Sequence, residues 1–247
     1  MATDNPAANR NLPHVNLATT DQALEWLRGG WNLFLRAPGI WIGILVIYVV
    51  IYLVANLIPF IGGIALALFA NVFAFGILSG AQALEAGHPL AVGHLFAGFN
   101  SPRMGSLVLL GVFALIGTLC IGMPAGLAFG LIAATGFGIG VVAWILLILL
   151  MAVLMVAVSA AFLFATPLVG FDGLAPVESM KLSLTATMNN WLALLVWGVL
   201  AILLVLAGAI PFGLGLLVVM PMLSAGYYLM YRTIFTATQA EAANPGN

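Results

Sequence analysis

The charged residues of this chain leave three long gaps: 48 uncharged residues separate Arg36 from Glu85, 68 separate Arg103 from Asp172, and 50 separate Lys181 from Arg232. Each gap far exceeds the roughly 20 apolar residues that cross a bilayer core of about 30 Å. A soluble domain carries about a quarter charged residues, whereas here they make up 5% of 247, against 64% hydrophobic side chains. A water-soluble globule is thereby excluded. The formal net charge of -1 offers no basic face for phosphates, which excludes a nucleic-acid binder. Cys120 is alone in an apolar run, which excludes a disulfide scaffold. The expected fold class is all-α, a polytopic integral membrane protein, because lipid tolerates only backbone that is paired internally.

Dividing the gaps gives the spans. The first breaks at Pro59, with spans near 38–58 and 64–86 around the turn IPFIGG; the last breaks at IPFGLG, with spans near 191–209 and 216–236. Pro221 falls inside the last span, where a kink is expected. The middle gap holds two long spans or three short ones. Two place Arg28, Arg36, Arg103, Lys181 and Arg232 on one side, which the positive-inside rule makes the cytoplasm. The spans near 105–122 and 141–168 are accordingly joined by the glycine-rich segment 123–140, whose ends extend the helices. Six spans result, in a single transmembrane domain over 21–236. Residues 1–20 form a polar cytoplasmic tail without the basic start and apolar run of a cleaved signal. Residues 237–247 form a disordered cytoplasmic tail.

A short stretch of helical periodicity, too polar to cross, precedes each pair of spans. In the first, Leu24, Leu27, Trp31 and Phe34 oppose Asp21, Glu25, Arg28 and Asn32, the pattern of an interfacial helix. In the third, Val177, Met180, Leu184 and Trp191 oppose Glu178, Lys181, Thr185 and Asn189. The second, HPLAVGHLFAGF, is weaker. Trp31, Trp41, Trp191, Tyr227, Tyr228 and Tyr231 are placed for an aromatic belt at headgroup level. The chain thus reads as three copies of an interfacial amphipathic helix followed by a transmembrane hairpin. Ala55, Ile58, Pro59, Phe60 and Gly63 in the first copy match Ala207, Ile210, Pro211, Phe212 and Gly215 in the third, as parallel repeats about an axis along the membrane normal would.

The segments GWNLFLRAPGIW, HLFAGF, ATPLVGFDGLAPVESMKLSLTATMNNW and YYLMYRTIF together resemble a family of uncharacterised bacterial six-span inner-membrane proteins, akin to the YciC-like membrane proteins. The resemblance covers roughly residues 26–236. It implies a multi-pass protein of the bacterial cytoplasmic (inner) membrane with both termini cytoplasmic, and it supplies no catalytic residues.

Every charged side chain is assigned to one side, so no span carries the ionisable group that marks pumps and ion-coupled carriers. Asn56, Asn71, Ser79 and Gln82 could line a polar path, with Thr118, Ser159 and Ser224 elsewhere in the spans; the plainer reading is hydrogen bonding between helices. Gly76 and Gly80, then Gly122, Gly126 and Gly130, and Gly136 and Gly140, recur at four-residue spacing, which suits close helix packing or, as the sharper alternative, a pore. Glu85, His88 and His94 have poor spacing for a metal site, since a structural zinc needs four firm ligands. Glu178 and Lys181 can form a surface pair. No enzyme signature is present. The expectation is an integral membrane protein without catalytic residues, cofactor or metal. Its role is membrane organisation or partner binding, and its partners are the lipid bilayer and a membrane protein or a second copy. The alternative is a small permease or lipid-handling carrier for a neutral or amphipathic substrate.

Overall fold

The computed structural model describes residues 13–135, 141–210 and 212–235. The first twelve residues, the tail from residue 236, Pro211, and the 136–140 segment with Gly136 and Gly140 lie outside them. Among the described residues the chain is helical, with no strand. The order is α1 (Gln22–Arg36), α2 (Pro38–Asn56), α3 (Ile61–Glu85), a 3-10 helix (Val92–Asn100), α4 (Met104–Thr135), α5 (Val141–Leu163), α6 (Ala165–Gly170), α7 (Pro176–Asn189), α8 (Trp191–Ala209) and α9 (Leu216–Phe235).

Among the described residues, five stretches are long and apolar enough to cross a membrane: Pro38–Asn56, Ile61–Glu85, Met104–Leu127, Trp144–Gly170 and Trp191–Ala209. They coincide with the first five expected spans. Where the sixth span is expected lies α9, a helix over Leu216–Phe235 that does not reach the same hydropathy, because Pro221, Ser224, three tyrosines and Arg232 interrupt it. Its surroundings account for this composition. Ala225, Tyr228, Met230, Tyr231 and Ile234 are buried, with α1, α2, α3 and α8 packed around the helix. A helix enclosed by protein has no need of an apolar shell.

The short helices α1, the 3-10 helix and α7 each precede a long apolar one, at the three places where the sequence suggests them. In α1 and α7 part of the expected apolar face is turned away from the protein, as a helix lying on lipid would turn it. In α1 the buried side is Ala23, Trp26, Gly30, Leu33 and Phe34, while Leu24 and Trp31 of the expected apolar face look outward. In α7 the buried side is Ser179, Ser183 and Ala186, and Val177 of the expected apolar face is exposed. On α7 small and polar residues face protein, since helices in lipid associate through close packing and hydrogen bonds, whereas α1 also packs Trp26, Leu33 and Phe34 inward.

Glycine sets several of the crossings. A Cβ on Gly30 of α1 would lie 2.4 Å from the Met222 carbonyl oxygen and 2.7 Å from the Gly226 nitrogen of α9, so those backbones touch. Gly76 and Gly80 seat the 3-10 helix on α3: their added Cβ atoms would fall 2.4 Å from the Leu95 oxygen and 2.6 Å from Leu90 Cδ1. Gly122, Gly126 and Gly130 have nothing within 4 Å. Glycines at one spacing thus include both in-chain packing and unpartnered surface.

The turns of the first and third copies share a backbone feature. Phe60 and Phe212, matched in the sequence repeat, both adopt positive φ, 63° and 52°, a conformation that bulky residues avoid.

The fourth span does not run straight to 168 as expected. It breaks at Phe164 between α5 and α6, because Pro167 has no N–H to offer the Leu163 carbonyl and its ring crowds that turn. The freed groups are met from outside. The Tyr227 hydroxyl donates to the Leu163 oxygen, and Phe164 N–H donates to Ser183 Oγ at 2.9 Å.

Candidate functional site: a charged rim and an apolar cleft

Charged residues from separate parts of the sequence meet at one end of the bundle. Arg36 Nη1, where α1 gives way to α2, donates to the Leu84 oxygen at 2.7 Å. Beside it Glu85 pairs with Arg232 of α9, and the Tyr228 hydroxyl donates to Glu85 Oε2 at 2.9 Å. The Tyr231 hydroxyl donates to Asp172 Oδ2 at 2.5 Å. Gly173, with φ +72°, lies flush against the Arg103 guanidinium, where an added Cβ would be 1.6 Å from Nη1. Burial pushes the Asp172 carboxyl above its ordinary range, and the Tyr231 hydrogen bond pulls it partly back.

The tyrosines of α9 therefore do not form the expected lipid-facing belt. Tyr227, Tyr228 and Tyr231 tie α9 to the end of α5, the end of α3 and the loop after α6. Trp41 is also interior, 1% exposed, with its indole N–H on the Leu33 oxygen at 3.3 Å. Trp31 and Trp191 remain exposed, at 42% and 61%.

The residues of the expected polar path are spread out. Asn56 donates to Tyr52 O of its own helix at 2.7 Å, and Ser79 to Phe75 O at 2.8 Å. Gln82 is exposed. Asn71 alone reaches across, accepting from Thr166 Oγ1 of α6 at 2.8 Å. Thr118 and Ser224 likewise bond back along their own helices, to Ala114 and Met220. His88 is exposed. His94 Nδ1 takes the Ala91 N–H at 3.0 Å, capping the 3-10 helix. Among the described residues no three His, Cys, Asp or Glu side chains gather to hold a metal. Glu178 and Lys181 are not paired with each other there.

Two groups were not legible as functional in the sequence. Asn190, 2% exposed, accepts Ala18 N–H on Oδ1 at 2.6 Å and donates to the oxygens of Asn16 at 3.0 Å and Ala186 at 2.9 Å. It ties the chain before α1 to the α7–α8 junction, while Asn16 N–H donates to Ile234 O at 2.9 Å. The second is a cleft along α4 and α5. A cavity of about 470 Å³ lies between these helices and α7, and one of about 400 Å³ runs on between α4 and α5 alone; both are bounded by Gly117, Val158 and Phe162. The walls are almost wholly apolar, with Lys181 of α7 at the mouth of the first and Thr118 and Ser159 in the second. Only 6% of the most apolar stretch of Trp144–Gly170 is buried inside the protein, against 33% for Ile61–Glu85. With the cleft described, the chain can be set beside known proteins. No family model, curated protein or solved structure matches it. The cleft and the rim must therefore be read by their own chemistry. Nothing in either arranges a nucleophile with a base, whereas the cleft has the volume and apolar lining of a small-molecule site.

Proposed function

We propose that the chain is a six-span membrane protein of the bacterial cytoplasmic membrane, made of three hairpins with both termini inside, and that its role is non-enzymatic: membrane organisation or partner binding in the plane of the bilayer. The observation that carries the role is the stretch Trp144–Gly170, which at 6% is the least buried inside the protein of the five long apolar stretches among the described residues. Such a surface marks an interaction site, here one met by lipid, a membrane protein or a second copy. The sixth span is α9, whose 20 residues extend about 30 Å at 1.5 Å per residue. The one-sided topology is supported by the bond of Arg36 to the Leu84 oxygen next to the Glu85–Arg232 pair, and by the approach of Arg103 to Gly173 beside Asp172. Kinship with the YciC-like six-span proteins belongs to the same reading.

The test is a photo-crosslinking amino acid at Val153, an exposed position of α5 outside the cleft lining, activated in native membranes. A discrete protein adduct, to another membrane protein or to a second copy, is expected. Lipid adducts alone would overturn partner binding. The cleft favours the second reading, a lipid-handling carrier.

A further inference from the structure

We infer that the α4–α5–α7 cleft is a binding site for one anionic phospholipid, with an acyl chain lying between α4 and α5 and the headgroup phosphate on Lys181. The inference rests on the chain's being embedded in a bilayer and deepens its lipid-handling reading. It does not depend on whether the outer face of α5 also meets a protein.

Three observations fix the occupant. The cleft is open and apolar, so in a bilayer it fills with hydrocarbon, not water. It is elongated: its wall on α4 runs from Phe113 to Ala125, about 18 Å at 1.5 Å per residue, the shape of a chain and not of a compact solute. Its mouth carries Lys181, which has no ion-pair partner among the described residues, while Val177, Met180 and Leu184 of the same helix face line the wall with it. An ammonium at the open end of an apolar trough complements a phosphodiester joined to an acyl chain. Glu178 lies on the same helix but outside the lining, so the charge at the mouth is the lysine's. Gly117 lines both cavities without a side chain, and a Cβ there would make only ordinary contact with Val158 Cγ1 at 3.6 Å.

The full chain is reconstituted in vesicles of phosphatidylglycerol, phosphatidylethanolamine and phosphatidylcholine, released in mild detergent, and examined by native mass spectrometry for retained lipid. One phosphatidylglycerol per chain is expected, enriched over both other lipids by about fivefold, the preference that one basic side chain confers at a membrane surface. Lys181→Gln should keep a retained lipid and lose the enrichment. Ala161→Phe, which fills the α7 side of the cleft, should lose the lipid while its thermal unfolding stays that of the parent, and Gly117→Leu provides a second filling variant. No retained lipid, enrichment of phosphatidylethanolamine, unchanged enrichment in Lys181→Gln, or unchanged retention in both filled variants would overturn the inference. The Val153 adduct reports on the protein partner separately, so either proposal can fail while the other stands.

Discussion

The hydroxyl of Ser183 takes the place of a missing helical hydrogen bond at Ala160: it donates to the Ala160 oxygen at 2.7 Å and accepts the Phe164 N–H at 2.9 Å. Ser183 is fully buried, and the bond it interrupts is the one an uninterrupted α5 would make. Ser183→Ala leaves Phe164 N–H without its acceptor, while Ala160 O keeps Thr187 Oγ1 at 3.2 Å. The expected cost is about 1–3 kcal/mol for an orphaned buried group, read as a lower midpoint of thermal unfolding in detergent. Thr185→Ala, whose exposed hydroxyl only bonds back to Lys181 O, should leave that midpoint in place. Equal effects in the two variants would contradict the bridging role.

Two glycine substitutions should act in opposite directions. Gly30→Ala puts a methyl against backbone atoms of α9 that cannot rotate away, so α1 and α9 must separate at a cost of about 1–3 kcal/mol. Gly126→Ala meets nothing within 4 Å and gains up to about 1 kcal/mol of helix propensity. Thermal unfolding of both variants checks the pair. A neutral Gly30→Ala would mean that the α1–α9 crossing is looser than described.

The position of each long apolar helix was legible because uncharged gaps and bilayer thickness leave few choices, and the charge pattern supplied the division of the middle gap. Which face of a helix meets protein was not legible by the usual apolar stripe. Val177, Met180 and Leu184 form the stripe of α7, yet its buried residues are Ser179, Ser183 and Ala186. In lipid the apolar face is free to point outward, and small polar residues make the closest contacts. The sequence placed α9 but not its surroundings: its tyrosines lower its hydropathy while serving as its ties to α3, α5 and Asp172. Asn56, Asn71, Ser79 and Gln82 were visible as polar residues in apolar helices. Their sequence positions carried no information on whether they converge, and only Asn71 bonds to another helix. The cleft left no motif, since it is a gap between helices and not a run of residues.

Glu85 pairs with Arg232 and accepts from Tyr228 at the end of the bundle, with their side chains 28% and 46% exposed for the ion pair. Glu85→Gln keeps an acceptor for the tyrosine and loses the charge, so the expected destabilisation is below about 1 kcal/mol. A double-mutant cycle with Arg232→Gln measures the coupling. The same variant bears on transport: apart from Glu85 and its partner Arg232 at the span ends, the expected spans carry no Asp, Glu, Lys, Arg or His, so reconstituted liposomes should show no uptake driven by a pH gradient. Proton-driven uptake that Glu85→Gln abolishes would replace the structural role of this carboxylate with a transport role.

Asp172 gives a dependence on pH whose sign follows from its surroundings. Partial desolvation raises its carboxyl pKa in the folded protein, with the Tyr231 bond opposing, and because the residue is exposed the effect on stability is small. Its stabilising contribution is therefore complete below the unfolded value of about 3.9 and is lost as pH rises through the folded value. Asp172→Asn retains an acceptor for Tyr231 and carries no charge at any pH. The variant should unfold at a higher temperature than the parent at pH 7, with the difference shrinking towards pH 4. A difference that widens on acidification would reverse the assignment.

Six spans with both termini inside predict a specific pattern of reporter activity. Arg103 lies against Gly173, so the chain between them leaves the charged end of the bundle and returns to it, which requires an even number of crossings. α4 carries it outward: its 32 residues extend about 48 Å at 1.5 Å per residue, more than the roughly 30 Å of a hydrocarbon core. Residue 130, within α4, should therefore lie at the far side, and residue 172 at the near one. A periplasmic phosphatase fused near residue 130 should be active, and one fused after residue 172 inactive. A third fusion at residue 236 should also be inactive if α9 crosses, despite the lower hydropathy that Arg232 and the tyrosines give it. Activity at 236 with silence at 172 would leave five crossings and place α9 as a helix enclosed by the bundle without traversing the bilayer, while activity at 172 would remove the paired middle spans altogether.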